Sequence, residues 1–260
     1  MSTGSLGSAK RAIQIFEFFA EIRRPATVTD IWRGLDHPQS STSKLLKMLA
    51  GMGYLNYDGE TRRYVPTLRT ALLGSWLHDH WFGHQSLLGV IERLWRELGT
   101  SVILAIQNDK FALYMLALKG TLPGFVHPRP DVPIGILRPV CRVAAGKALL
   151  MDWDDAAIGR LVRRINAEEP DAAHHVDLAA LIEELRLGRE SGFIFNEGSY
   201  LANVGVLASL LPPLPGQPRM SISLSAPIDW FGEHLEEAKR VLKETLEAGL
   251  HANLSAPWQE

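Results

Sequence analysis

Apolar residues recur at helical spacing from the start of the chain. Ala12, Ile15, Phe16, Phe19 and Ile22 fall at i, i+3, i+4, i+7 and beyond. This predicts an amphipathic helix that stops near Arg24-Pro25, because proline disfavours helical backbone in the residue before it. Thr27 to Asp30 forms a capping-box-like start, and Val28, Ile31 and Leu35 give a short second stripe. Asp36-His37-Pro38 breaks that stripe, with Pro38 placed as the first residue of a third helix. Its buried side is read as Leu45, Met48, Leu49 and Met52, and Gly51 and Gly53 stop it. Tyr54 to Tyr57 and Arg62 to Val65 then flank Asp58-Gly59, a hairpin signal. Three helices and a hairpin in this order predict a winged helix-turn-helix domain over 1–66.

Residues 68–82 predict a helix joining this head to the rest of the chain, with Leu68, Leu72, Leu73, Trp76 and Leu77 on its apolar side. The predicted organisation is therefore a head over 1–66, a linker helix over 67–82 and a second domain over 83–260. In that domain a helix fits 84–99, and strands fit 102–106 and 111–118 about Asn108-Asp109-Lys110. The proline-rich stretch 123–139 is read as irregular. Helices follow at 144–151, at 155–166 and from Asp177 to Gly192. Strands are expected at 193–196, 204–211 and 219–225, and a last helix at 230–251. Helices outside a set of strands make this domain α+β.

Composition narrows the class. The chain has 260 residues, 46% of them hydrophobic and 22% charged, which is ordinary globular usage. No apolar run approaches the ~18 residues of a membrane span, and the N-terminus lacks a secretory pattern. Cys141 is the only cysteine, which excludes an internal disulfide and a cysteine-rich zinc site. A cytoplasmic protein fits. The overall charge of −2 hides an asymmetry: residues 1–66 hold nine basic and six acidic residues, so the head is +3 and the remainder −5. A basic head on an acidic body suits a DNA-reading module joined to a sensor.

The chemistry of the head agrees. Gln39, Ser40, Ser41, Ser43 and Lys44 occupy the first half of the third helix, with Lys47 one turn further on. Short polar side chains, an amide and amines suit base edges and phosphates of double-stranded DNA. Arg62 and Arg63 on the hairpin would meet the DNA backbone or minor groove. His78, His80 and His84 carry no metal-site pattern, and no metal or cofactor is expected. The patterns GxSxG, GxxxxGK[ST], GxGxxG and HExxH are absent, so the chain is not expected to be an enzyme.

The runs SAKRAIQIFEFFAE, DIWRGL, PQSSTSKLLKMLAGMGYL and RRYVPTLRTALLG resemble the N-terminal domain of IclR-type bacterial transcriptional regulators. VAAGKALL (143–150), SGFIFNEG (191–198) and SISLSAP (221–227) extend the resemblance over nearly the whole chain. It implies a GAF/PAS-like mixed α/β effector-binding domain, a homodimer or homotetramer, and a palindromic operator. It also implies a small organic effector, a carboxylate or aromatic acid. The tract from Cys141 to Ala148 opens a helix with small residues, where a ligand can approach backbone N–H groups and the helix dipole favours an anion. By resemblance, Cys141, Arg142, Val143, Ala144, Ala145, Gly146, Val206, Ala208 and Ser223 line the effector site. Arg142 departs from the small residue usual there; it could pair an effector carboxylate, fill the pocket or point outward. Leu201 to Ser209 lacks the family's glycine and Ala-Pro pair, so the pocket mouth differs. Two rival classes are a small-molecule-binding or hydrolytic enzyme with a vestigial head, and a winged helix that binds protein.

Overall fold

The structure is a computed structural model and describes residues 3–73, 87–123, 135–198, 200–213 and 217–250. The chain divides into two compact units, Met1–His80 and Trp81–Glu260.

In the first unit α1 (Thr3–Ile22) is followed by β1 (Ala26–Thr27), α2 (Val28–Gly34), α3 (Gln39–Gly51), β2 (Leu55–Asp58), β3 (Arg63–Pro66) and α4 (Leu68–Leu72). α1 begins nine residues earlier than its apolar stripe, at Thr3 rather than Ala12. The Thr27 hydroxyl accepts the Asp30 N–H (3.2 Å) and the Asp30 carboxylate accepts the Thr27 N–H (2.9 Å). This reciprocal pair fixes where α2 starts. The core is Ile15, Phe18, Phe19, Ile31, Leu45, Leu46, Leu49, Leu55 and Tyr64.

Two details of the head differ from expectation. Pro38 caps α3 from outside the helix instead of opening it. The buried side of α3 is Thr42, Leu45, Leu46 and Leu49, whereas Met48 and Met52 are 51% and 50% exposed. The stripe runs i, i+3, i+4, i+7 from Thr42. This polar residue hides because its hydroxyl donates to the Pro38 carbonyl at 3.1 Å. In the hairpin, Asp58 accepts the Glu60 N–H (2.9 Å) and the Thr61 hydroxyl (2.5 Å). β3 pairs with β2 on one side and with β1 on the other, a third strand not anticipated. Of the joining helix expected over 68–82, only its start is described, as α4. The rest, with His78, His80 and His84, lies outside the described residues.

The second unit contains α5 (Leu87–Leu98), β4 (Ser101–Asn108), β5 (Phe111–Leu118), β6 (Leu137–Pro139), α6 (Ala144–Leu150) and α7 (Asp155–Glu168). A short 3-10 turn (Ala172–His174), α8 (Leu178–Ser191), β7 (Ile194–Glu197), β8 (Val204–Leu210), β9 (Met220–Pro227) and α9 (Ile228–Leu250) complete it. The strands form one antiparallel sheet in the order β6-β5-β4-β9-β8-β7. β6 lies inside the proline-rich stretch read as irregular. Its Pro139 is accommodated because β6 is an edge strand, where a missing N–H costs no ladder bond.

The sheet's two faces follow the period of its strands. Val102, Leu104, Ile222 and Leu224 point to one side, against Ile91, Leu94, Phe231 and Leu242 of α5 and α9. Ile103, Ala105 and Tyr114 point to the other, against Ala145 and Leu149 of α6. α7 and α8 continue that second layer through Ile158, Leu181 and Leu185, packed with Ile194 and Ala208. Gly146 permits the close approach of α6 to the strand before it. A Cβ there would stand 2.2 Å from the Val140 carbonyl oxygen.

Candidate nucleic-acid interface and ligand pocket

The first turns of α3 leave Gln39, Ser40, Lys44 and Lys47 exposed and Ser41 and Ser43 half-buried. The sequence permits this because Thr42, Leu45, Leu46 and Leu49 take the inward side. The Ser41 hydroxyl donates to the Pro38 carbonyl at 2.9 Å and accepts from Arg11 Nη1 of α1 at 3.3 Å. Arg62 and Arg63 are exposed on the wing, and Arg62 takes a left-handed backbone (φ 54°) as the chain re-enters β3.

The two units treat their cations differently. Among the described residues, no lysine or arginine of the head lies in an ion pair. In the body Lys147 pairs with Glu184 (2.7 Å), Arg189 with Asp155 (3.2 Å) and Arg240 with Glu244 (3.1 Å), among others. The exposed pairs among these add little stability. Their distribution, however, leaves the described lysines and arginines of the head outside any ion pair.

The body holds a narrow cavity to which all six strands contribute. Arg138 comes from β6, Tyr114 from β5, Ile103 from β4, Ser225 from β9, Val204 and Val206 from β8, and Asn196 from β7. Val143 and Ala144, at the start of α6, and Tyr200 and Leu201, before β8, close it. The cavity encloses about 560 Å³ of space including its open mouth.

Alternation in SISLSAP shapes its floor. Ile222, Leu224 and Ala226 enter the core under α9, so Ser221, Ser223 and Ser225 face α6 and the cavity side. Ser221 donates to the Ala145 carbonyl at 2.7 Å. The hydroxyls of Ser223 and Ser225 are buried without a hydrogen-bond partner, and Ser225 lies on the cavity wall. A buried unpaired hydroxyl is costly, and at a cavity a bound polar group can relieve that cost. Burial pushes the Tyr114 phenol up to about 12, and Tyr200 adds to the rise while Arg138 opposes it. Tyr114 therefore stays a hydrogen-bond donor at neutral pH. The Arg138 side chain is half-buried and makes no hydrogen bond or ion pair among the described residues.

A family model described as the IclR helix-turn-helix domain matches residues 8–59, the span from α1 to the hairpin turn. The "Transcriptional repressor IclR" of Escherichia coli K12 is 25% identical over 234 residues, covering 87% of this chain and 82% of that protein. The head carries an IclR-type helix-turn-helix domain, and the chain is similar to IclR-type transcriptional regulators over most of its length. The fold extends through the body of IclR-type structures. The IclR regulator from Alicyclobacillus acidocaldarius superposes with a TM-score of 0.65 at 19% identity, over 97% of this chain and all of that one. An IclR homologue from Microbacterium hydrocarbonoxydans, solved in complex with 4-hydroxybenzoate, superposes with a TM-score of 0.57 at 18% identity, over 93% and 99%.

The residues expected at the effector site separate into two groups, with Arg142 apart from both. Val143, Ala144 and Val206 lie on the cavity wall. Cys141, Ala145, Gly146, Ala208 and Ser223 are buried behind it. Burial also pushes the Cys141 thiol up to about 11, which keeps it protonated and unreactive. Arg142 turns away, its guanidinium donating to the His174 carbonyl at 2.5 Å, so the cationic side chain at the cavity is Arg138. Arg138, Tyr114, Asn196, Tyr200 and Ser225 were not anticipated. Ser225 stands two residues from Ser223 on the same face and was within reach of the alternation. Arg138 was hidden because its strand lies in a segment whose prolines argue against a strand.

Proposed function

We propose that this IclR-type regulator binds an operator in double-stranded DNA through α3 and the wing, and that a small organic acid in the body's cavity modulates that binding. The observation that carries the DNA half is the uncompensated charge of the head: its described cations have no carboxylate partners, while many in the body do. Phosphates are the partners such a surface fits. Gln39, Ser40, Ser43 and Lys44 would meet base edges and nearby phosphates. Lys47, Arg62 and Arg63 would meet the backbone, and Ser41 would support them from the start of α3.

The cavity supports the effector half. Arg138 offers a guanidinium to a carboxylate, Tyr114 and Ser225 offer hydroxyls, and Ile103, Val204, Val206, Leu201 and Tyr200 offer apolar and aromatic walls. That set fits a flat aromatic or short organic carboxylate. The 4-hydroxybenzoate bound by the Microbacterium homologue has this chemistry. No histidine or carboxylate stands among the described lining residues to activate Ser225, which favours ligand sensing over hydrolysis. The reading includes a cytoplasmic homodimer or homotetramer on a palindromic site, acting as repressor or activator, without a cofactor.

The test is a titration of the protein against its own upstream intergenic DNA at two salt concentrations, repeated with 4-hydroxybenzoate and a panel of organic acids. Tight binding to one fragment that weakens steeply with salt and shifts with one acid is the expected result. Binding no tighter than to a random duplex, with and without the acids, would remove the reading.

A further inference from the structure

One group of side chains beside α3 is not used by the surface already described. Lys10, Arg11 and Gln14 lie at i, i+1 and i+4 on α1, and the contacts of Arg11 and Gln14 run to the start of α3 and the loop before it. Arg11 donates to Ser41 Oγ at 3.3 Å, and Ser41 donates onward to the Pro38 carbonyl at 2.9 Å. Gln14 Oε1 lies 3.2 Å from His37 Nε2, and His37 Nδ1 is buried without a partner. Lys10 and Arg11 both bear on His37 with positive charge, and Asp36 is the one acid that opposes them there. Arg11 itself has no ion pair among the described residues. Its single described hydrogen bond leaves most of its five N–H donors unengaged.

A half-buried guanidinium with most of its donors unengaged has charge-assisted hydrogen bonds to offer an anion. Ser41 holds this guanidinium at the first turn of α3, the element that enters the groove in the reading above. We propose that Arg11, seated on Ser41, binds a DNA backbone phosphate beside the first turn of α3, so that α1 is a second contact element that fixes the register of α3 on the duplex. The inference rests on the DNA-binding reading of the head. Arg11 acts as a positioning contact: it adds affinity without changing which sequence is preferred.

The test uses full-length protein and a duplex selected by the wild type from a random pool. Arg11→Ala should weaken binding about tenfold, lower the salt slope by about one and leave the base preference unchanged. Phosphate-ethylation interference should vanish at one phosphate per bound head. Arg11→Lys should keep the slope and lose part of the affinity, because an ammonium cannot replace the fork. Ser41→Ala should keep the charge and weaken binding by a smaller factor. These two variants carry the test if Arg11→Ala does not fold. Wild-type affinity, slope and interference pattern in folded Arg11→Ala, alongside impaired Lys44→Ala, would overturn the proposal and leave the reading of α3 intact. Wild-type protein without salt-sensitive duplex binding would remove both.

Discussion

Arg138 and Arg142 stand four residues apart with opposite fates, and the difference decides which one can sense a carboxylate. Arg142 spends its guanidinium on a backbone carbonyl in the loop after α7. Arg138 faces a cavity walled by Tyr114 and Tyr200, with no partner among the described residues. A charge-assisted hydrogen bond in such a site is worth roughly 1.5–3 kcal/mol. Arg138→Gln should therefore weaken effector binding about ten- to a hundredfold. Arg142→Ala should leave it within about twofold. Calorimetric titration of both variants with the acid that shifts DNA binding checks the pair, and equal losses would mean that the cavity is not the site. His37 supplies a second prediction at this scale. Burial, then the charges of Arg11 and Lys10, hold its pKa below the ordinary value of 6.5. The folded head then binds fewer protons than the unfolded chain, so stability is present above that value and declines as pH falls through it. The melting temperature should drop between pH 7.5 and 5.5, and His37→Gln should flatten that drop. Asp30 and Asp58, both held below the usual carboxylate range by hydrogen bonds, act only in more acid solution.

At the scale of elements, α3 tests which stripe carries the head. Leu46 is fully buried, whereas Met48 is half exposed. Leu46→Ala should cost about 2–5 kcal/mol, while Met48→Ala should fall within about 0.5 kcal/mol of wild type. Chemical denaturation separates the two. The same helix illustrates what was legible. Its place and length followed from Pro38, the apolar spacing and Gly51. Its rotation was misread because Met48 and Met52 are apolar and Thr42 is not, and only the Pro38 carbonyl explains why Thr42 turns inward. Elements whose cue was periodicity or a cap were found: α2 by Thr27 and Asp30, and α8 by Asp177 and Gly192. Elements defined by partners distant in sequence were missed. β1 is two residues long and exists because β3 pairs with it. β6 exists because Phe111 to Leu113 offer it an edge. The cavity shares that limit. It collects one or two residues from each of six strands, so no local pattern announces it, and Arg138 was the most thoroughly hidden of them.

At the scale of the molecule, the chain joins a head with unpaired cations to a body with a mostly apolar cavity that carries a few polar groups, and the proposed regulation requires that the two exchange free energy. The sheet provides a rigid floor, because β9 at its centre is buried along nearly its whole length. At the cavity's rim Tyr200 and Leu201 follow β7, and the Asn203 carbonyl accepts the N–H of Ile228, the first residue of α9. α9 packs its Leu242 and Phe231 in one cluster with Ile91 and Leu94 of α5, the first described helix of the body. If the proposed effector rests on Tyr200, these contacts link it to α9 and α5 of the body. Whatever path the strain takes, linkage makes the effect reciprocal. If the effector changes operator affinity by a factor of about 5–150, equivalent to ~1–3 kcal/mol, then operator DNA must change effector affinity by the same factor. The expected outcome is that effector titrations in the absence and presence of saturating operator give dissociation constants differing by the factor measured in the DNA-binding experiment, and in the same sense. Tyr200→Ala should shrink both factors together while leaving DNA affinity of the unliganded protein unchanged. An effector constant indifferent to DNA, in a protein whose DNA binding does respond to that acid, would mean that the acid acts at a different site from the one titrated.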